Sequence, residues 1–342
     1  MGSTPLLRLD VAVLDRNIAA MSAVAGTADV ALRPHAKTHK SPEIAARQLA
    51  AGAKGLTVAT IGEAEVFAAA GFDDLFLAYP LWVDADAAVR LRMLGERVSL
   101  AVGCDSPTSA ANLAGLPLEV LVEIDSGHRR TGVAPDAAGQ LAAAITELGV
   151  RVRGVFTFPG HSYTPEGRQA AAKDEADALG RAAAAMADAG VPAQVVSGGS
   201  TPSAEFVQGS PLTELRPGVY VFGDAQQVEL GTIGFDQVAL TVEACVVSLA
   251  QGRVITDAGS KALGADRPSW ASGYGRVLET PDARIVALSE HHSTIEWPGV
   301  LPDLGSHVLL VPNHVCNAVN LAERYHLVGG GTWPVAARGR NS

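Results

Sequence analysis

The sequence predicts an α/β fold with two domains, a TIM-type (β/α)8 barrel at residues 1–225 and a mainly β domain at residues 226–342. Short apolar runs alternate with longer alanine-rich helical patterns over residues 30–225. This alternation is typical of βα units. Beyond residue 224, β-like runs are separated by Gly, Pro and Asp turns instead. An open doubly wound sheet is the alternative for the first domain, but eight βα units favour closure into a barrel.

The apolar runs are short enough for buried strands and have turn or helix signals on both sides. Those predicted as barrel strands are residues 30–32, 56–59, 75–78, 98–102, 118–124, 152–158, 193–197 and 215–222. The helical patterns between them cover residues 41–51, 61–70, 84–94, 135–148 and 168–189. The predicted strands of the second domain cover residues 238–248, 252–257, 284–288, 307–311 and 326–327.

Composition narrows the class of protein. Hydrophobic residues make up 48% of the chain and charged residues 18%, which is typical of a globular protein. The net charge is −10 and no basic stripe lies outside residues 33–40, which argues against a nucleic-acid partner. The three cysteines are widely spaced and odd in number, which argues against a disulfide framework. With no signal peptide or membrane-length apolar run, the sequence predicts a cytoplasmic enzyme with no membrane contact. We expect residues 338–342 to fray.

The basic segment at residues 33–40, Arg-Pro-His-Ala-Lys-Thr-His-Lys, follows the first predicted strand. Lys37 therefore lies at the carboxyl end of a strand, where barrel enzymes carry their catalytic groups. Cationic neighbours and the imidazole of His35 disfavour an ammonium ion, which leaves an amine for Schiff-base chemistry. A solvated basic loop is the alternative.

A glycine-rich loop, Gly199-Ser200-Thr201, follows the seventh predicted strand. Glycine lets the backbone approach an anion, and hydroxyl groups and a helix amino terminus donate to it. Barrels often bind phosphate at this position, although a plain tight turn has the same composition. Together with a Schiff-base lysine, the loop suggests pyridoxal 5'-phosphate (PLP), which carries an aldehyde and a phosphate.

Three further side chains follow predicted strands. Arg130 follows the fifth strand and could face the phenolate oxygen of PLP. His161 and Tyr163 follow the sixth strand and could meet the pyridine nitrogen or the substrate carboxylate. The alternative is a surface arginine for Arg130 and a structural role for His161 and for Tyr163.

His314 and Cys316 are candidate metal ligands in the second domain. In an extended segment, residues two apart point to the same face, and an imidazole with a thiolate suits Zn²⁺, with Mn²⁺ or Mg²⁺ as alternatives. Two ligands are too few for a structural zinc site, so an open, catalytic site is expected. A buried cysteine beside a hydrogen-bonded histidine is the alternative.

Together, these motifs resemble the D-serine dehydratase and D-threonine aldolase family, within the alanine-racemase-like (fold type III) PLP enzymes. The resemblance covers essentially the whole chain. It rests on residues 33–40, 125–127, 130–132, 160–163, 199–202, 216–220 and 314–316.

The resemblance implies a role for each candidate residue. Lys37 would carry the cofactor, with His35 and His161 as further catalytic residues. The other cofactor-binding residues would be Arg130 at the ring oxygen, Tyr163 near the ring nitrogen, Gly199, Ser200 and Thr201 at the phosphate, and Tyr220. His314 and Cys316 match the metal ligands of the family, whose members are homodimers with sites formed at the interface.

The sequence His-x-Cys, together with Gly-His-Ser-Tyr at residues 160–163, resembles the dehydratase branch, whereas the aldolase branch typically shows His-x-Asp. The prediction is therefore a PLP- and metal-dependent lyase that eliminates water from a D-β-hydroxy amino acid, giving a 2-oxo acid and ammonia. The main alternative is retro-aldol cleavage to glycine and an aldehyde; a racemase and a non-catalytic PLP carrier are less favoured. Residues 289–293, Ser-Glu-His-His-Ser, differ from the family pattern and leave the size and charge of the substrate open.

Overall fold

The computed structural model describes residues 4–342, in which strands β1–β17 and helices α1–α10 are numbered along the chain. The chain divides into two compact units. The barrel unit contains residues 20–37, 44–218 and 340–342, and the sheet unit contains the residues up to Ala19, residues 38–43 and residues 219–339. The domain boundary after residue 225 stays a prediction.

The barrel unit is built on an eight-stranded parallel sheet with the order β2-β9-β8-β7-β6-β5-β4-β3. A parallel bridge joins His35, which lies just beyond β2, to Thr57 of β3, so the two edge strands meet and the sheet closes. The predicted (β/α)8 barrel is confirmed. Its strands are β2 (Ala31–Leu32), β3 (Leu56–Val58), β4 (Asp74–Pro80), β5 (Ser99–Cys104), β6 (Glu119–Glu123), β7 (Arg151–Phe156), β8 (Val195–Gly198) and β9 (Glu214–Leu215).

The last barrel strand is shorter than predicted. It ends at Leu215, and residues 219–221 form a 3-10 turn instead of continuing the strand. Pro217 explains the difference, because proline has no N–H with which to extend the hydrogen-bond ladder.

The five predicted helices are confirmed as α2, α3, α4, α6 and α7, while α1 and α5 were not predicted. Asp10 could have identified α1, since its carboxylate accepts the N–H groups of Ala12 and Val13 as N-cap residues do. The helices are α1 (Val11–Thr27), α2 (Pro42–Ala50), α3 (Ile61–Ala69), α4 (Ala85–Gly95), α5 (Pro107–Ala111), α6 (Ala138–Glu147) and α7 (Arg168–Asp188).

Strand alternation separates two apolar layers in the barrel unit. Leu75 and Leu77 of β4 belong to the large core in which strands pack against helices, whereas Phe76 between them belongs to a small cluster with Phe156. Because successive strand residues point to opposite faces, this small cluster fills the barrel interior. The two rings meet edge to face, with centroids 5.1 Å apart. The interior is therefore a packed support beneath the carboxyl ends of the strands.

The sheet unit contains a nine-stranded sheet with the order β11-β14-β13-β12-β15-β10-β1-β16-β17. Its pairings are antiparallel except for β1 with β16, which confirms a mainly β second domain. Its strands are β1 (Leu6–Leu9), β10 (Leu240–Ser248), β11 (Val254–Thr256), β12 (Gly275–Val277), β13 (Arg284–Leu288), β14 (Ser293–Glu296), β15 (His307–Pro312), β16 (Arg324–Leu327) and β17 (Thr332–Pro334). Three short helices accompany the sheet: α8 (Ala225–Glu229), α9 (Ser260–Leu263) and α10 (Val315–Leu321). Within residues 4–342, no helix is both long and apolar enough to cross a membrane.

Candidate active site

A cavity of about 430 Å³ opens in the barrel unit, at the carboxyl ends of the strands. Ten residues from the ends of six strands line it: His35, Lys37, Ala59, Thr60, Ala78, Tyr79, Arg130, Thr131, Phe158 and Arg216. The structure thus brings three predicted site residues together, namely His35, Lys37 and Arg130.

Lys37 lies in the turn that follows β2. Its Nζ atom is 5.8 Å from the centroid of the Phe158 ring, and the guanidinium of Arg130 is 5.2 Å from the same centroid. The backbone N–H of Lys37 points to Nδ1 of His35 at 3.5 Å. Lys37 and Arg130 therefore share one aromatic ring, whose face attracts the charge of the guanidinium. Arg130 is thus the cation that shares this ring with Lys37, whereas Arg33 of the basic segment pairs with carboxylates elsewhere.

Arg130 faces a buried carboxyl group. Its guanidinium lies 3.9 Å from Oε1 of Glu123, which ends β6 and is 3% exposed. Burial raises the pKa of Glu123, against the opposing effects of a Thr131 hydrogen bond and of Arg130 and Arg216. Oε2 of Glu123 has no hydrogen-bond partner among the described residues. Glu123 is thus a buried carboxyl group within ion-pair distance of Arg130, and one of its oxygens is free of other hydrogen bonds among the described residues.

Arg216 was not assigned a role from the sequence, although it begins the Arg-Pro-Gly motif after β9. It lines the cavity and its guanidinium lies 5.5 Å from the Phe76 ring centroid and 5.3 Å from that of Phe156. It also donates to the carbonyl oxygen of Thr157. Burial lowers the pKa of Arg216 to about 10, so a cation is still held in the floor of the cavity at neutral pH. Tyr79, Thr60 and Phe158 were also missed, since no local motif marks them.

The glycine-rich loop does not line the cavity, and two of its N–H groups bind side chains. The Gly199 N–H donates to Oε1 of Glu175 at 2.6 Å, and the Ser200 N–H donates to Oγ of Ser203 at 3.0 Å. Gly199 has φ +84°, a conformation that favours glycine. Burial raises the pKa of Glu175 to about 7, opposed by the Gly199 N–H and by Arg216. A Glu175 that is partly neutral at pH 7 limits the negative charge beside this loop, which fits an anion ligand there.

His161 and Tyr163 do not line the cavity either. Nε2 of His161 is 3.3 Å from Oδ2 of Asp174 on α7. The Tyr163 ring lies 6.1 Å from that of Phe158, centroid to centroid. Tyr220 is buried in the 3-10 turn of the sheet unit. The cofactor and catalytic roles of these residues stay predictions.

His314 and Cys316 come together in the sheet unit, but not as an extended segment. His314 is the extended N-cap residue of α10, while Cys316 already lies in the first turn of that helix, so the predicted strand geometry is wrong. The two side chains nevertheless interact, since Cys316 raises the pKa of His314. The thiol of Cys316 also lies 3.4 Å from Oγ1 of Thr38. The start of α10, and not a strand, therefore brings His314 and Cys316 together.

Asp224 is fully buried and contacts both His314 and the helix turn that carries Cys316. Its Oδ1 accepts the N–H of Gln227 and caps α8, and its Oδ2 accepts the N–H of Val315 at 3.1 Å. The same Oδ2 lies 3.5 Å from Nδ1 of His314. Burial lowers the pKa of His314, but the charges and hydrogen bonds of Cys316 and Asp224 outweigh it and raise the pKa well above its ordinary value.

The donor chemistry of this pair fits a divalent metal. An imidazole and a thiol are the side chains that zinc prefers, and an acidic group behind a ligating histidine is a common arrangement. Residues 4–342 contain no group of three or more His, Cys, Asp and Glu side chains able to hold a metal ion. A metal would therefore depend on the nitrogen of His314 and the sulfur of Cys316, and oxygen atoms of water or substrate would complete its coordination.

Comparison with known protein families matches both parts of the chain. Residues 9–226 match the model described as alanine racemase, N-terminal domain. Residues 239–328 match the model described as a putative serine dehydratase domain.

Among curated relatives, D-threonine aldolase of Arthrobacter sp. is 35% identical over 357 residues, covering 98% of this chain and 93% of the relative. D-threo-3-hydroxyaspartate dehydratase of Delftia sp. (strain HT23) is 36% identical over 346 residues, covering 92% of this chain and 90% of the relative. Both are similar over nearly their full length, so the two activities are represented at the same level of similarity.

Solved structures agree with this. A variant of D-threo-3-hydroxyaspartate dehydratase in which a cysteine is replaced by alanine, in a metal-free form, has a TM-score of 0.89 and 33% identity, covering 98% of this chain and 97% of that one. A second variant of the enzyme replaces a histidine two positions before that cysteine. The chain therefore belongs to the alanine-racemase-like family of PLP-dependent lyases that includes D-threonine aldolase and D-threo-3-hydroxyaspartate dehydratase.

Proposed function

We propose that this chain is a PLP- and metal-dependent dehydratase that eliminates water from a D-β-hydroxy amino acid and yields a 2-oxo acid and ammonia. The observation that carries the proposal is the paired side chains of His314 and Cys316, in a member of a PLP-dependent family. The same histidine and cysteine spacing occurs in the Delftia dehydratase, and its cysteine variant is the one described as metal-free.

In the barrel unit, Lys37 would hold the aldehyde carbon of PLP until the substrate amine takes its place, and the freed Nζ would then accept the proton from Cα of the substrate. When bound, PLP supplies an electron sink for the negative charge that develops at Cα. Arg130 would hold the ring oxygen, and Arg216 keeps a cation at the floor of the cavity. The Phe158 ring lies 5.8 Å from Nζ of Lys37 and 5.2 Å from the Arg130 guanidinium, so it would shield both groups from water on that side.

The remaining assignments extend this proposal. Tyr163 and Tyr220 would contact the cofactor, Gly199, Ser200 and Thr201 would bind its phosphate, and His35 or His161 would move a second proton. The buried hydroxyl groups of Ser200 and Thr201 and the left-handed backbone of Gly199 support the phosphate assignment.

His314 and Cys316 would hold the metal, which would supply a Lewis acid to assist the loss of hydroxide, a poor leaving group. Zn²⁺ is favoured because imidazole and thiolate are its preferred donors, with Mn²⁺ and Mg²⁺ as alternatives. Asp224 would keep the His314 ring oriented.

A retro-aldol lyase is the second candidate, because the Arthrobacter aldolase is as similar to this chain as the dehydratase. The same side chains serve both reactions. The choice depends on which bond of Cα lies perpendicular to the cofactor plane.

We also propose a homodimer in the cytoplasm. The family resemblance supports the dimer. The location is supported by Cys104, Cys245 and Cys316, none of which is joined in a disulfide.

Product analysis tests the function. Purified enzyme loaded with PLP and zinc is given D-serine, D-threonine or D-threo-3-hydroxyaspartate, and the products are separated. A 2-oxo acid with ammonia, lost on chelation and in Cys316→Ala, supports the dehydratase. Glycine with an aldehyde would establish the aldolase instead, and loss of both products in Lys37→Ala is expected in either case.

A further inference from the structure

We propose that residues 340–342 form a clasp that positions Thr60 in the wall of the candidate active site. The sequence predicts that this segment frays, and the structure shows the opposite, since it is hydrogen-bonded to the barrel unit. The effect of the clasp on catalysis rests on the proposed function, whereas the existence of the clasp does not.

Three donors from two helices and their caps hold the segment. Oγ1 of Thr60 donates to the carbonyl oxygen of Arg340 at 2.6 Å. The backbone N–H of Gly62 donates to the Ser342 oxygen at 3.0 Å, and the guanidinium of Arg90 donates to the same oxygen at 3.1 Å. The segment is therefore bound at both of its ends.

Gly62 supplies the room for the segment. It is the second residue of α3 and has ordinary helical backbone angles, so no turn requires a glycine there. Alanine would be the stronger helix former. A Cβ atom at this position, however, would lie 2.7 Å from the Ser342 oxygen and 3.2 Å from Cβ of Arg340. The absent side chain is thus explained by the docked segment.

The charges around the segment also fit an acceptor oxygen. The first N–H groups of a helix have no partner within it and carry a partial positive charge, and the Ser342 oxygen meets one of them at Gly62. Arg90 reaches that oxygen from α4 while it makes two hydrogen bonds with Glu65, at 2.6 and 2.8 Å. Glu65 therefore holds the arginine in place for the segment.

Thr60 connects the clasp to the cavity. It is the N-cap of α3, where Oγ1 accepts the N–H of Glu63 at 3.0 Å, and it lines the same cavity as Lys37. A hydroxyl has one hydrogen to donate. Because Thr60 donates it to Arg340, the hydroxyl cannot donate into the cavity. Release of the segment would free the O–H and loosen this wall.

Three variants test the clasp without reference to activity. Deletion of residues 340–342 and Gly62→Ala should both lower Tm and speed hydrogen exchange of the amides at residues 60–64. Gly180→Ala is the matched control, because Gly180 is inside α7 and a Cβ there meets only one atom, at 3.9 Å. The control should raise Tm. A rise in Tm for Gly62→Ala, with unchanged exchange in the deletion, would overturn the clasp.

Kinetics test the positioning role. With the D-amino acid that gives product, the deletion and Thr60→Val should raise KM about tenfold with a smaller change in kcat, because both remove the hydrogen bond that holds this wall of the cavity in place. Thr60→Ser keeps the hydroxyl and should restore the wild-type KM. Unchanged KM in the deletion would overturn the positioning role. If no substrate reacts, the proposed function fails, while Tm and hydrogen exchange still decide whether the clasp exists.

Discussion

Oδ2 of Asp224 lies 3.5 Å from Nδ1 of His314 and 3.1 Å from the backbone nitrogen of Val315. One buried carboxylate thus touches both the side chain of a predicted metal ligand and the helix turn that carries the other ligand, Cys316. A carboxylate at Nδ1 keeps the proton on that nitrogen and leaves Nε2 as the atom able to bind a metal.

Asp224→Asn should weaken metal binding about 10- to 100-fold, because an amide cannot accept both backbone N–H groups and also orient His314. Competition with a chelating indicator measures the affinity, with PLP absorbance as a check that the barrel unit is intact. Asp84→Asn is the control, since Asp84 caps α4 by accepting the Ala87 N–H and has no ligand to orient. Equal metal affinity in Asp224→Asn and wild type would contradict this role.

Glu175→Gln should remove a pH dependence of stability. The folded-state pKa of Glu175 is raised to about 7 by burial, while an unfolded carboxyl group titrates near 4.5. Between these values the unfolded chain has lost the proton that the folded chain retains, so Glu175 makes stability fall as pH rises through this window and contributes no further slope above it. Over the whole window, the contribution of Glu175 to the free energy of unfolding falls by about 3 kcal/mol at most.

Urea unfolding of wild type and Glu175→Gln between pH 4.5 and 8 measures this slope. The free energy of unfolding of the variant should increase relative to that of the wild type up to about pH 7, and the difference between the two should then stay constant. Asp177→Asn, at an exposed position on the same helix, should follow the wild type. Parallel curves for wild type and Glu175→Gln would show that Glu175 is ionised throughout the range.

The barrel strands could be predicted because burial on both faces gives each one a local apolar run. The pairing of His314 with Cys316 could be expected from their spacing, but the element could not, since a helix start and an extended strand both bring residues two apart into contact. Arg216 and the segment at residues 340–342 were missed for another reason. Their partners, such as Phe76 and Gly62, are distant in sequence, so no local pattern reports the contact.

Gly199→Ala should destabilise the fold and weaken PLP binding. The backbone angle of Gly199 costs an alanine about 1 kcal/mol, and its Cβ would also strike the Leu215 side chain. Gly190→Ala isolates the two effects, because Gly190 has φ +77° and a Cβ there meets no atom within 4 Å. The loss in Gly199→Ala should exceed that in Gly190→Ala, and only Gly199→Ala should raise the Kd for PLP. Equal losses of stability in Gly199→Ala and Gly190→Ala would mean that the Leu215 side chain moves aside with no loss of stability.

Arg33→Met should cost about 3–5 kcal/mol of stability, because it leaves two carboxylates without their cation. Arg33 is 2% exposed, and its Nε lies 2.6 Å from Glu214, which is 6% exposed. Its other nitrogens make two hydrogen bonds of 2.8 Å with Asp74. Burial lowers the pKa of Arg33, but the two carboxylates outweigh it and raise the pKa above its ordinary value.

Chemical denaturation of Arg33→Met, of Glu214→Gln and of the double variant measures the coupling between the two groups. The double variant should regain part of the loss, since it no longer buries an unpaired carboxylate at residue 214. Arg151→Met is the comparison at the surface: Arg151 pairs with Glu119 at 2.9 Å but is 77% exposed, so its loss should stay below about 1 kcal/mol. If Arg33→Met cost no more than Arg151→Met, water would have to reach Glu214, and the barrel would be open at this end.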